Sequence, residues 1–393
     1  MSKVLKFKNK EEQKKDFKKI LTTVIVVIVI IIFLVCAVIY SKNKRFRNFM
    51  DAYLFRKNIT EENTSVIDID YDSDIHIIGH YKYIEILSGN TLKQYNTSGK
   101  LENEIKLKIT KPVYNCNGRF MAIGEQDGDK VYLIEDKNII WENNVDGNIS
   151  QISVNKNGCV SIILKGTTYK SVIATYDENG KELFKTYLSN TNAIDTDISN
   201  NNKYLAFAEL NTSGTTIQSC VKIVSIDKAQ KKPAESIIYT YKGDINRVIT
   251  KIKYQDRDKL VCMYDDGIDV IFAENNESIM QFESETKNGE IDLNEYVIKA
   301  KEKSSGLFSA DTVLEIMNIN SKKSIEYIAE GVAKRISCSG EIIAIDLGSE
   351  VEFINTSGWM IKRYKSIQEI KDVILSRDIA AIVYKDRIEL INL

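Results

Sequence analysis

From residue 65 onward the hydrophobic positions fall in short runs rich in Ile, Val, Tyr and Phe, broken by clusters of Gly, Asn, Asp and Ser. A long 3.6-residue period is missing there, and the pattern predicts strands separated by turns. The start of the chain is different. Residues 20–40 read ILTTVIVVIVIIIFLVCAVIY and contain no charge. At about 1.5 Å per residue they reach about 31 Å, the thickness of a bilayer core. A buried helix of a soluble protein keeps a polar stripe, whereas this run is apolar all round. A cleaved signal peptide has a shorter apolar core and a small-residue cleavage site, which Ile39-Tyr40-Ser41-Lys42 does not supply. The expectation is an uncleaved helix at 20–40 with the lipid bilayer as its partner. After it, Phe46, Phe49, Met50, Tyr53 and Leu54 recur at i, i+3, i+4, i+7 and i+8, one stripe of a helix. That stripe either packs on the following domain or lies among lipid headgroups. Residues 41–64 are thus expected to form a juxtamembrane helix and linker.

The turns carry the most information, because three kinds recur in a fixed order. The first has Asn or Ser, a small polar residue and usually Gly: Asn115-Cys116-Asn117-Gly118, Asn155-Lys156-Asn157-Gly158 and Ser337-Cys338-Ser339-Gly340, with Ser199-Asn200-Asn201-Asn202 as a variant. The second is a tight hairpin, as at Gly89-Asn90, Asp127-Gly128 and Asp266-Gly267. The third is Asn96-Thr97-Ser98-Gly99, Asp177-Glu178-Asn179-Gly180 and Asn355-Thr356-Ser357-Gly358. Three turns separate four strands, A to D. In one unit these are 149–154, 159–164, 171–176 and 182–187; in another they are 333–337, 341–346, 350–355 and 359–365. Strand B is the most continuously apolar, as in Ile342-Ile343-Ala344-Ile345, and is expected to be buried on both faces.

Four-stranded antiparallel units at a fixed period define a β-propeller. The 329 residues from 65 to 393 give about 41 per unit for eight blades and about 47 for seven, against a usual period of about 40–45. Eight is the expected number and seven the alternative. Blades fall near 74–107, 109–144, 149–188, 193–241, 245–283, 289–329 and 331–366. The remainder holds three strands, 371–375, 379–384 and 387–392. Its fourth is expected from residues 65–70, SVIDID, which would close the ring and remove an exposed edge. The D–A and B–C loops are expected on opposite faces of the ring.

Asp177-Glu178-Asn179-Gly180-Lys181-Glu182-Leu183-Phe184 resembles the repeat of pyrroloquinoline-quinone-type propellers. In that repeat an aromatic after the Gly-Lys docks on the next blade. By this resemblance Trp141, Gly180 and Phe184 are docking residues, while Asn103 and Lys362 stand where the aromatic is expected. The resemblance spans residues 65–393 with degenerate motifs. It looks most like membrane-anchored propeller proteins of clostridia and related Gram-positive bacteria, whose AT-rich genomes suit the Lys, Ile and Asn bias. A more distant likeness is to the propeller lipoprotein of the outer-membrane β-barrel assembly machine.

Charge sharpens the picture. Residues 1–64 carry 14 Lys/Arg against 6 Asp/Glu, leaving 40 against 49 for the rest of the chain. The acidic main domain argues against nucleic acid as a partner. Eight lysines precede the apolar run, from Lys3 to Lys19, and Lys42, Lys44, Arg45 and Arg47 follow it. The N-terminal excess predicts a cytoplasmic tail at 1–19, a single pass through the cell membrane, and the propeller at 65–393 outside the cell. Candidate chemistry is thin. Five cysteines in the repeats, Cys116, Cys159, Cys220, Cys262 and Cys338, lack C-x-x-C spacing and read as small buried hydrophobes. His76 and His80 share a strand face without a carboxylate partner at suggestive spacing, so a structural role is expected. Quinone chemistry is not expected, because no adjacent cysteine pair or channel stacking platform is evident. The innermost strands offer Asp195, Asp197, Lys251, Lys253 and Lys334, short of a catalytic constellation. No cofactor, metal or catalytic residue is assigned. The expected function is a non-enzymatic, membrane-tethered scaffold or binding module at the outer face of the cell membrane, with a role in the cell envelope. The alternative is a small-ligand sensor or enzyme with its site in the central channel.

Overall fold

The computed structural model describes residues 10–42, 46, 50, 54, 64–69, 75–255, 258–272, 275–306 and 309–393. Helix α1 runs Lys10–Lys42, and its stretch Leu21–Lys42 is apolar enough to cross a bilayer, with a mean hydropathy of 3.4. Every strand that follows belongs to one of eight four-stranded antiparallel sheets. They are the blades of a β-propeller. Blade 1 spans Ile75–Lys106, blade 2 Pro112–Asn144, blade 3 Asn148–Leu188 and blade 4 Asn192–Ile245. Blades 5, 6 and 7 span Ile249–Gln281, Thr286–Ala329 and Arg335–Lys365. Blade 8 takes its three inner strands from Asp372–Asn392 and its outermost strand from Ser65–Asp68, paired with Arg387–Leu390.

The core is a ring of eight separate hydrophobic clusters, one in each seam between neighbouring blades. This follows from the strand pattern. Strands B and C present apolar side chains to both sheet faces, and each face meets a different blade. In blade 3 all of Ser171–Tyr176 is buried, so strand C is as enclosed as strand B. The seam between blades 8 and 1 joins Ile67 of the first strand, Ile77 and Ile84 of blade 1, and Ile379 and Ile388 from the chain's end.

Because neighbouring strands are antiparallel in every blade, the A–B and C–D turns lie on one face of the ring and the D–A and B–C loops on the other. This corrects the expectation that D–A and B–C loops oppose one another. The chain enters the ring at Ser65, beside Gly99 in the C–D turn of blade 1. The N-terminal segment therefore meets the ring on its A–B/C–D face.

The third turn is built as the sequence predicts. The Asn96, Asp177 and Asn355 side chains each accept two backbone N–H bonds, from Ser98 and Lys100, Asn179 and Lys181, and Ser357 and Trp359. Gly180, at φ 79°, takes the left-handed position. The first turn divides into two kinds. Asn155 makes the same side-chain loop, but Gly118-Arg119 and Gly340-Glu341 are two-residue hairpins. Asn115 and Ser337 then belong to strand A rather than to a turn. Blade 4 departs most from the repeat. Its C–D connection carries helix α2 (Ile226–Lys231) and a 3-10 turn (Pro233–Glu235).

Candidate binding channel

The innermost strands of blades 2 to 6 line a polar cavity of about 230 Å³ in the central channel. A common backbone device shapes it. Strand A of blades 3, 4, 5 and 6 carries a bulge, between Ile149 and Gln151, Ala193 and Asp195, Ile249 and Lys251, and Thr286 and Asn288. A bulge shifts the alternation by one residue and re-aims the side chains that follow. In blades 3, 4 and 5 the residues after it line the cavity in i, i+2 pairs: Gln151 and Ser153, Asp195 and Asp197, Lys251 and Lys253.

These pairs form a relay from blade to blade. The Gln151 amide donates to Asp195, and the Ser153 hydroxyl donates to Asp197 Oδ1 at 2.9 Å. The second oxygens of both aspartates accept backbone N–H bonds from blade 5, from Ile252 and Tyr254, each at 2.7 Å. Lys251 and Lys253 then converge on Asp292 of blade 6, and Lys251 also lies 3.5 Å from Glu290. Toward blade 2, Val154 N–H donates to Asn115 Oδ1 at 3.1 Å.

Burial dominates the ionisation of this cluster. It pushes the Asp195 carboxyl up to about 7 and that of Asp197 up to about 6, against the pull of the N–H donors. Burial also opposes the charge on Lys251, but Asp292 and Glu290 outweigh it and lift the amine to about 12. Burial works against Asp292 too, yet Lys253 and Lys251 hold its carboxyl well below the usual carboxylate range. Each ionic group here is engaged by another protein group. Among the described residues no three His, Cys, Asp or Glu side chains come together as a metal set.

Four of the five innermost-strand candidates thus meet in one place. Lys334 does not. It lies in the D–A loop before blade 7 and lines a separate cavity of about 130 Å³ with Glu302 and Arg335. The sequence reading missed Gln151 and Ser153, whose i, i+2 placement on an inner strand was the available signal, and Asp292, which lies in the A–B turn of blade 6 just past the inner strand.

The docking positions occupy the outer seams. Trp141 packs on blade 3, where a Cβ added to Gly180 would lie 2.7 Å from its Cγ, and its ring centroid is 6.0 Å from that of Tyr176. Phe184 packs against the cluster shared with blade 4. Asn103 reaches the next blade by another chemistry, donating to Lys137 O at 2.9 Å. It ends a polar row across blade 1 through Gln94, Glu85 and His80, whose Nε2 faces Arg119 O at 3.0 Å. Lys362 of blade 7 bonds the Asn392 carbonyl of blade 8. The cysteines are all unpaired, and burial raises the Cys116, Cys262 and Cys338 thiols well above their ordinary value and those of Cys159 and Cys220 to about 11. Of the juxtamembrane stripe, Leu54 N–H bonds Met50 O at 3.0 Å, and Phe46 is half-buried. Phe49 and Tyr53 lie outside the described residues.

An apolar N-terminal helix followed by eight four-stranded blades defines the class: a β-propeller with one candidate membrane span. Within that class, the chain belongs to a family of unknown function, DUF5711, whose pattern matches residues 53–393. No curated protein matches the chain. Solved structures similar to it include BamB from Moraxella catarrhalis, at 12% identity and TM-score 0.51 over 84% of this chain and all of that one. The C-terminal WD40 domain of Sif2 is similar at 10% identity and TM-score 0.55, over 84% of this chain and 98% of that one. The dihydro-heme d1 dehydrogenase NirN is similar at 11% identity and TM-score 0.51, over 87% and 80%. At such identities the likeness concerns the fold alone.

Proposed function

We propose that this chain is a non-enzymatic binding module, held by its N-terminal helix at the outer face of the cell membrane, where the ring serves as a docking platform for an envelope protein. One observation carries the non-enzymatic reading. The channel's charged groups are engaged with one another or with backbone N–H groups, so that among the described residues none stands there as a paired nucleophile and base. The membrane reading is supported by the uncharged span and the lysine-rich segment before it. The platform reading is supported by a closed ring whose loops are fixed on a rigid frame.

Protease treatment of intact protoplasts tests the location. The propeller is expected to be degraded while the bilayer stays sealed, and full protection would place it in the cytoplasm. Crosslinking of the full-length chain in membranes is expected to capture the same partner repeatedly. A second reading, a small-ligand sensor, draws on the 230 Å³ polar cavity. Native mass spectrometry separates the two, since a stoichiometric bound molecule after purification would favour the sensor.

A further inference from the structure

A single attachment at one rim does not by itself decide which way a ring faces. Twenty-two residues separate Lys42 from Ser65, and a chain of that length spans at most about 75 Å. A second contact on the same face, far from the first, would fix it. The largest departure from the repeat among the described residues lies there. The tether enters at blade 8, and α2 interrupts the C–D turn of blade 4, four blades away in a ring of eight and therefore on the opposite rim. C–D turns share the face where the tether enters.

The build of α2 presents lysines outward. Ser225 caps its N-terminus, accepting from Lys228 N at 3.4 Å, and Ile226 and Ala229 are buried against the blade cluster. Lys228, Lys231 and Lys232 are left exposed. Lys231 pairs with Asp227 at 2.5 Å and Lys232 with Glu235 at 3.8 Å, all at well-solvated positions. Such pairs contribute little, so a lipid phosphate can replace the carboxylate. Beside them, Ile237 and Ile238 at the start of the outermost strand are 46% and 42% exposed. Exposed apolar side chains next to lysines fit a headgroup boundary. Around the whole ring the balance agrees. Among the described residues, Lys and Arg outnumber Asp and Glu in the A–B and C–D turns, and the reverse holds in the D–A and B–C loops.

We propose that α2 and Ile237-Ile238 dock on the anionic lipid surface, so that the ring lies with its A–B/C–D face on the membrane and its acidic loop face turned outward. This rests on the reading of the N-terminal helix as a membrane anchor.

The test uses the full-length chain in two kinds of vesicle, phosphatidylcholine alone and phosphatidylcholine with phosphatidylglycerol, footprinted with a membrane-impermeant acylating reagent. Lys228, Lys231 and Lys232 are expected to react about five-fold more slowly or less in the anionic vesicles, and added salt should restore the rate. Lys108 and Lys385, exposed in loops of the other face, should react equally in both. Equal rates for the α2 lysines in a chain that stays vesicle-bound through an alkaline wash would overturn this proposal alone, as would protection of Lys108 and Lys385 instead. A chain stripped from both vesicles by that wash would overturn the anchor reading, and this proposal with it.

Discussion

Asp195 and Asp197 show how one residue can tie three blades together. Each takes a side-chain donor from blade 3 and a backbone donor from blade 5 while belonging to blade 4. Burial raises both carboxyls, to about 7 and about 6. The folded state therefore holds protons that the unfolded chain, with ordinary aspartates near pKa 3.9, has already released. Stability from this pair is highest below about pH 4 and falls as pH rises toward about 7. Asn at both positions keeps the shape but removes the ionisation. The double variant Asp195→Asn/Asp197→Asn loses acceptors at every pH, so it is expected to melt lower than the parent at pH 5. The gap should narrow by about 2 °C or more at pH 8. Thermal melts of both proteins across that range check the sign, and a gap that widens with pH would contradict it. Truncation is harsher. Asp195→Ala strands the buried Ile252 N–H, at about 1–3 kcal/mol.

The blade, as an element, docks on its neighbour through one outer position that tolerates three chemistries: aromatic at Trp141 and Phe184, amide at Asn103, amine at Lys362. Trp141→Ala is expected to cost about 3–5 kcal/mol. Gly180→Ala combines a left-handed φ of 79° with a Cβ 2.7 Å from the indole, so it should lower the denaturation midpoint in urea as well. In the double variant Trp141→Ala/Gly180→Ala the losses should be less than additive, because the alanine at 141 removes the clash. Denaturant melts of the four proteins check this. The sequence showed this element clearly where a turn needs a particular residue. Asn96, Asp177 and Asn355 each hold their C–D loop by a side-chain bond that other residues cannot make, so the turn, and from it the blade, was legible. Strand ends drifted by one to four residues, most at the blade 4 to 5 boundary, where Ile245 closes the outer strand of blade 4 rather than opening blade 5. The channel was less legible. Which of Ser150 or Gln151 faces inward depends on a bulge, and no residue type at Ile149–Gln151 announces one. Helix α2 was missed because six residues are too few for a helical period to stand out, and its cap and its two buried anchors matter only against the folded blade.

At the scale of the whole molecule, closure of the ring rests on a four-residue strand. Ser65–Asp68 covers Arg387–Leu390, which would otherwise be an open sheet edge. Thr64 adds a bond to Glu389 at 3.3 Å, and Glu389 in turn accepts from Tyr364 of blade 7 at 2.7 Å, so entry strand, last blade and neighbour share one buried carboxylate. On the other side of the same blade, Gly79 brings blade 1 so close to blade 8 that a Cβ there would overlap the Leu375 carbonyl. Backbone cannot move aside as a side chain can, so Gly79→Ala is expected to spread this seam and lower the melting temperature of the full chain. The closing strand supplies its own control. Ile67 is 6% exposed and belongs to the seam cluster, whereas its neighbour Val66 is 49% exposed. Ile67→Asp buries an unpaired charge at the closure and should either strip the strand from the ring or cost about 3 kcal/mol or more. Val66→Asp puts the same charge into solvent and should stay within about 0.5 kcal/mol of the parent. Once Ser65–Asp68 detaches, the 387–392 edge is free to pair with another copy. Light scattering of the Ile67→Asp chain in detergent should therefore show self-association, and the Val66→Asp chain should not. If both variants melted and scattered alike, the ring would be held shut by its inner strands alone, and the entry strand would add nothing to closure.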